Sequence, residues 1–330
     1  MTALALVLLA CAPAGLRAEQ DVVAAVASAR ALLGQDRPQE ALAALSGQDA
    51  SDPAVALLLG VAHYHAGDAV KAIALLQPVV ATLAEGSAER REAVQVLGLA
   101  LLLAGRIAEA VPWLEATRAW AGSNLEANQI LGTAYIQTRQ PDKAREVLAR
   151  AFEVAPEGAA AHLLAAQMMI RLEQEALAQA ELERAIAKDP RLPQAHFLLG
   201  QLALYRARFD DAAALTKKEI ELNPGNNLAW SQLGDVYVRQ QRWDEALAAL
   251  QRSIWVSPFY SAPHILLGRV YMKKGQPAAA EAMLRRATAY DPNNKQAHYL
   301  LGQVLQQTGR TEEARKELEL AERLQGAAGR

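Results

Sequence analysis

Apolar and small positions return along the chain with a step of 34 residues. Ala110, Ala144, Ala178, Ala212, Ala246, Ala280 and Ala314 form one series, and Gly98, Gly132, Ala166, Gly200, Gly234, Gly268 and Gly302 form a second. A third runs Leu114, Leu148, Leu182, Thr216, Leu250, Leu284, Leu318, and prolines recur at 156, 190, 224, 258 and 292. Such a period is the mark of a repeat architecture, in which each unit buries its apolar face against its neighbours.

Each series has a physical reason. With every unit numbered from 1 to 34, the small residue falls at position 8 and the alanine at position 20, one on each of two helices. Missing side chains there let two backbones approach closely. Leucine at position 24 fills the space beside that contact, and proline at position 32, which lacks an N–H and clashes with a continuing helix, stops the second helix. In the unit SAPHILLGRVYMKKGQPAAAEAMLRRATAYDPNN, 261–294, this predicts a first helix to about Lys274, a turn at Gly275 and Gln276, and a second helix after Pro277, a residue tolerated at a helix start.

This spacing resembles the tetratricopeptide repeat. Trp230, Leu233, Gly234, Tyr237, Ala246, Leu250 and Pro258 carry the pattern in one unit, and His264, Leu267, Gly268, Tyr271, Ala280, Leu284, Ala287 and Pro292 in the next. The resemblance implies an all-α, right-handed superhelical solenoid of about nine helix-turn-helix hairpins. The units lie near 22–52, 53–86, 91–124, 125–158, 159–192, 193–226, 227–260, 261–294 and 295–328. Four extra residues, Ser87 to Arg90, and two prolines inside second helices, Pro78 and Pro112, predict a kink and looser stacking around 78–112. Thr216 and Glu219 stand where a leucine and a small residue are usual. A carboxylate facing the next hairpin must find a partner or reach water. The last segment, TEEARKELELAERLQ, spreads charge around its helix and reads as a solvating end cap.

Composition agrees with helix on helix. Hydrophobic residues make up 52% of the 330 and aromatics 5%, so the apolar content is mostly alanine and leucine. A formal charge of −2 supplies no field to gather nucleic acid. Cys11 is the single cysteine, which excludes an intramolecular disulfide and a cysteine-built zinc site. Ala3 to Leu16 is an uncharged run with the length of a secretory core and too short to span a bilayer. Export with cleavage after Ala18 is one reading. LLAC at 8–11 as a lipobox with Cys11 acylated is a second, and a cytoplasmic protein with a misassigned start a third.

Repeating histidines first suggest a metal. His162, His196, His264 and His298 all occupy position 4, where the repeat prefers a large amphipathic ring such as Trp230, and adjacent copies lie about 8–10 Å apart. They read as packing residues, and His63 and His65 diverge around one helix. No phosphate loop, nucleophile elbow or acid–base grouping occurs, so catalytic, cofactor and metal sites are all read as none.

Binding is the remaining role. By the resemblance, positions 2, 5, 9, 12 and 13 of the first helices face a groove that takes a protein or peptide partner. They place Arg171, Phe197, Gln201, Tyr205, Asp235, Arg239, Ile265, Arg269, Lys273, Tyr299 and Gln303 there. Relatives that grip a C-terminal carboxylate use lysine at position 5 and asparagine at 9; Phe197/Gln201, Ser231/Asp235 and Ile265/Arg269 do not match. Arg171, Arg239, Arg269 and Lys273 against Asp235, with Glu92 and Glu126 in earlier units, predict that the C-terminal half prefers an acidic segment. Among clustered aromatics, Trp230, Tyr237 and Tyr271 are expected in the core, and Trp255, Phe259 and Tyr260 at a partly exposed turn.

Overall fold

Each repeat folds as two antiparallel helices because its register puts small residues where the pair must touch. A computed structural model describes residues 14–327, with side chains from Gln20 to Gly326. The chain divides into two compact units at Pro156/Glu157. The first holds α1 (Ala14–Leu33), α2 (Pro38–Ala44), α3 (Pro53–His65), α4 (Ala69–Val79), α5 (Ala88–Leu103), α6 (Ile107–Ala121), α7 (Leu125–Gln137) and α8 (Pro141–Ala151). The second holds α9 (Ala159–Arg171), α10 (Glu175–Lys188), α11 (Ala195–Tyr205), α12 (Phe209–Leu222), α13 (Asn227–Arg239), α14 (Trp243–Val256), α15 (Ser261–Lys273), α16 (Pro277–Tyr290), α17 (Lys295–Gln307) and α18 (Thr311–Ala327). All eighteen described elements are helices, so the fold is an all-α array of nine helical hairpins.

The small-residue rule is visible as space. A Cβ added to Gly60 or Gly268 would lie 2.5 Å from Cγ of Leu76 or Leu284, the position-24 leucine of the same hairpin. At Gly200 the obstruction is polar, Nε2 of Gln232 at 2.7 Å and Oγ1 of Thr216 at 2.8 Å. Leu250, Leu284 and the position-20 alanines Ala246 and Ala280 are fully buried.

Turn and cap chemistry defines the helix ends. Position 15 adopts left-handed backbone in each hairpin turn from the third onward: at Gly105, Gly275 and Gly309, and equally at Arg139, Glu173, Ala207 and Gln241, with φ of 56–59° at the last four. The following N–H then closes onto the carbonyl of position 11, as in Arg208 to Ala203 at 2.9 Å and Gln276 to Tyr271 at 2.8 Å. Asn124, Asn226 and Asn294, the last residues of their units, cap the next first helix by accepting from the N–H of Ala127, Ala229 and Ala297.

The two internal prolines do not end their helices. Pro112 sits inside a continuous α6, and Pro78 lies in the last turn of α4, so the N–H bond it forgoes falls close to the helix end. The first hairpin starts with α1 at Ala14, upstream of the Val22 expected, and its second helix has only 7 residues. At the other end, α18 buries Ala314 and Ala321 and leaves most other residues exposed or half-buried, the amphipathic form expected of an end cap.

Candidate functional site: a cationic face of the second unit

Helices α11, α13, α15 and α17 lie in succession within the second unit and form two depressions. One, of about 770 Å³, gathers Arg239, Arg269, Lys273 and Gln303 with Trp243, Gln306 and Gln307 around its wall. The other, of about 420 Å³, is lined by Phe197, Gln201, Asp235 and Ile265 together with Leu204, Leu228, Tyr260 and Leu266. Arg239 and Arg269 line both, so the two depressions adjoin. Eight of the eleven predicted groove residues are therefore brought together, namely Phe197, Gln201, Asp235, Arg239, Ile265, Arg269, Lys273 and Gln303.

The others are placed differently. Arg171 is exposed on α9, and Tyr205 is 79% exposed at the end of α11; neither lines the two depressions. Tyr299 is half exposed and acts on a neighbour: its hydroxyl accepts from Nε2 of Gln303 at 3.0 Å. Ile265 requires a correction. It is only 5% exposed and packs with Leu301 and Val304 in the core of the last hairpins, so it supplies floor rather than an accessible contact. Its branched apolar side chain gains more from that core than from water.

Charge on this face is unbalanced. Arg239 is tied to Asp235, Nε to Oδ2 at 3.1 Å. Arg269 and Lys273, one turn apart on α15, have no ion-pair partner among the described residues, and no aspartate or glutamate lines the larger depression. In the first unit the expected acidic contribution is partly cancelled, since Glu92 pairs with Arg30 at 3.0 Å.

Gln241, from a hairpin turn, and Trp243, from the start of α14, line the larger depression from outside the positions that face inward by register, and Tyr260, expected at a partly exposed turn, lines the smaller one from the residue before α15. Of the aromatic turn, Trp255 and Phe259 are 70% and 77% exposed, whereas Tyr260 is half-buried in the apolar depression. Burial raises the Tyr260 phenol above its ordinary value. Arg252 stacks over Trp255 at 4.1 Å from the ring centre, and Phe259 meets Tyr290 edge to face. Tyr237 is buried as expected, but Trp230 and Tyr271 are only half-buried.

The position-4 rings have a shared task. Nε2 of His196, His264 and His298 lies 3.2, 3.0 and 2.9 Å from the carbonyl oxygen of Pro190, Pro258 and Pro292, and Nε1 of Trp230 donates to Pro224 at 2.9 Å. Each ring thereby engages the carbonyl of a proline two residues beyond the end of the preceding helix, in the turn between hairpins. His162 instead places Nδ1 2.7 Å from Oε2 of buried Glu181. Glu219, fully buried, accepts through Oε1 from the N–H of Gln194 at 3.1 Å and Nδ2 of Asn226 at 3.2 Å, while its Oε2 has no partner. Thr216 beside it accepts from Gln232 at 2.8 Å. These substitutions thus form a buried polar joint between hairpins.

Among the described residues no three His, Cys, Asp or Glu side chains converge on a point, and no described helix is long and apolar enough to cross a membrane. Cys11 lies outside the described residues, as do the first 13 of the 18 in the expected leader.

Comparison with solved structures finds helical-repeat proteins. MamA matches with 21% identity and a TM-score of 0.45 over 50% of this chain and 96% of its own. The Cut9–Hcn1 assembly of the APC/C matches with 20% identity and 0.47 over 88% and 57%. PilF of Pseudomonas aeruginosa matches with 18% identity and 0.49 over 58% and 88%. No curated protein matches the chain. Family models described as tetratricopeptide repeat match residues 26–88, 171–225, 197–258 and 265–328, and 101–168. With more than half of its length matched, the chain belongs to the tetratricopeptide repeat family.

Proposed function

We propose that this protein is a non-catalytic scaffold that holds an extended or helical segment of a partner protein on the first-helix face of its second unit, and that the segment is acidic. The single observation that supports this reading is the pair Arg269 and Lys273, exposed in a depression of about 770 Å³ with no carboxylate in its wall. Such a face accelerates encounter with a negative segment and disfavours a positive one. The apolar run Ala3 to Leu16 favours the bacterial cell envelope as the setting.

A second reading rests on LLAC at 8–11: a protein lipidated on Cys11 that serves pilus or outer-membrane assembly. A third is an accessory subunit of a polysaccharide or glycosyl-transfer enzyme. Affinity capture from membranes and periplasm, with mass spectrometry of partners and of the mature N-terminus, separates these. The Arg239→Glu/Arg269→Glu protein is expected to lose the partner while keeping its helical circular dichroism; unchanged capture would sink the scaffold reading.

A further inference from the structure

We infer that the site reads a bipartite extended segment: one large apolar side chain, then, about two and four residues along in either chain direction, two carboxylates. This rests on the peptide-binding reading above and adds the chemistry and spacing of the occupant.

The two adjoining depressions differ in character. The smaller brings Phe197, Leu204, Leu228, Tyr260 and Leu266 together with the buried Ile265. The larger carries Arg269 and Lys273 as cations without ion-pair partners among the described residues, and the amides of Gln303, Gln306 and Gln307 as further donors. Arg269 and Lys273 lie one turn apart on a helix, a spacing of about 6 Å that suits two carboxylates on one segment.

The separation of the two parts follows from helix geometry. Ile265, under the apolar part, and Lys273, in the cationic part, are eight positions apart on the single helix α15. At about 1.5 Å rise per residue they lie about 12 Å apart along its axis. An extended segment advances about 3.3 Å per residue, so about four residues reach Lys273 and about two reach Arg269, which lies about 6 Å from Ile265 along the axis.

The test is selection of short random peptides displayed on phage against the full chain, alongside the Arg269→Gln/Lys273→Gln protein and a Phe197→Ala protein, each verified by circular dichroism. Enrichment of Asp or Glu about two and four positions from an apolar residue supports the assignment. So does loss of the acidic preference alone in the Arg269→Gln/Lys273→Gln protein, with about tenfold weaker binding of the selected peptide. Loss of the apolar preference in Phe197→Ala supports it equally. Apolar enrichment without acids, acids about four and eight positions from the anchor as a helical segment would need, or no enrichment overturns it. The scaffold reading falls separately, only if partner capture also survives Arg239→Glu/Arg269→Glu.

Discussion

Nε1 of Trp230 donates to the carbonyl oxygen of Pro224, six residues earlier and 2.9 Å away. The same bond joins His298 to Pro292 at 2.9 Å and His264 to Pro258 at 3.0 Å. Trp230→Phe keeps a ring of similar kind and removes the donor. It is expected to cost about 1 kcal/mol in chemical denaturation, while His298→Gln, which retains a donor, costs less through this bond. Equal stability of Trp230→Phe and the parent would show that the donor does not matter.

Burial holds His264 below its ordinary value of 6.5, with nearby Arg286 adding to the effect and the Pro258 carbonyl opposing it. The native state therefore prefers the neutral ring. Its stability is full above the unfolded-state value and falls as pH drops through that value towards the lower native one. Melting temperature measured from pH 7.5 to 5 should decline, and His264→Gln should flatten the part of that decline below about pH 6.5.

Ala207 turns the chain with φ of 56°, in the place that Gly275 fills in a later repeat. An L residue pays strain there, of the order of 1 kcal/mol, that glycine avoids. Ala207→Gly should hold or raise the melting temperature despite glycine's greater unfolded freedom, whereas Gly275→Val should lower it by several degrees.

Buried Glu219 bonds two donors through one oxygen and leaves the other unmatched. Glu219→Gln keeps an acceptor for Gln194 and Asn226 and is expected to be neutral or stabilising. Glu219→Ala strands both donors and opens a cavity, for a loss of about 1–3 kcal/mol by urea denaturation.

Asp235 engages Arg239 in the groove, and both side chains are partly exposed, at 21% and 52%. Asp235→Asn releases the guanidinium and removes what is, among the described residues, the only carboxylate lining the two depressions. Affinity for an acidic peptide should rise about two- to fivefold at low salt and the gain should shrink at high salt, measured by fluorescence anisotropy. A gain independent of salt would argue against a charge effect.

The periodic residues carried most of the architecture without coordinates. Gly268, Leu284, Ala280 and Pro292 each do a local job, spacing, filling or stopping, and that job depends on the 34-residue register alone. The inward-facing positions were legible for the same reason: Phe197, Gln201, Arg239, Arg269 and Gln303 share a helical face before any tertiary contact is known. The histidines could likewise be taken as packing residues, but their common bond to a proline carbonyl needed the distance between two backbones.

Tertiary structure alone decided what register leaves open. Ile265 and Arg269 sit one turn apart on the same face, yet one is core and the other exposed, because the next hairpin covers only the first. Glu92 and Asp235 count as groove acids in the sequence and are neutralised by Arg30 and Arg239 in space. Trp243 enters the site from the first residue of α14 and Tyr260 from the residue before α15, where packing of the neighbouring hairpins rather than register decides what a side chain meets. Position within a repeat is set by chain distance, but exposure and free charge are set by what packs across it.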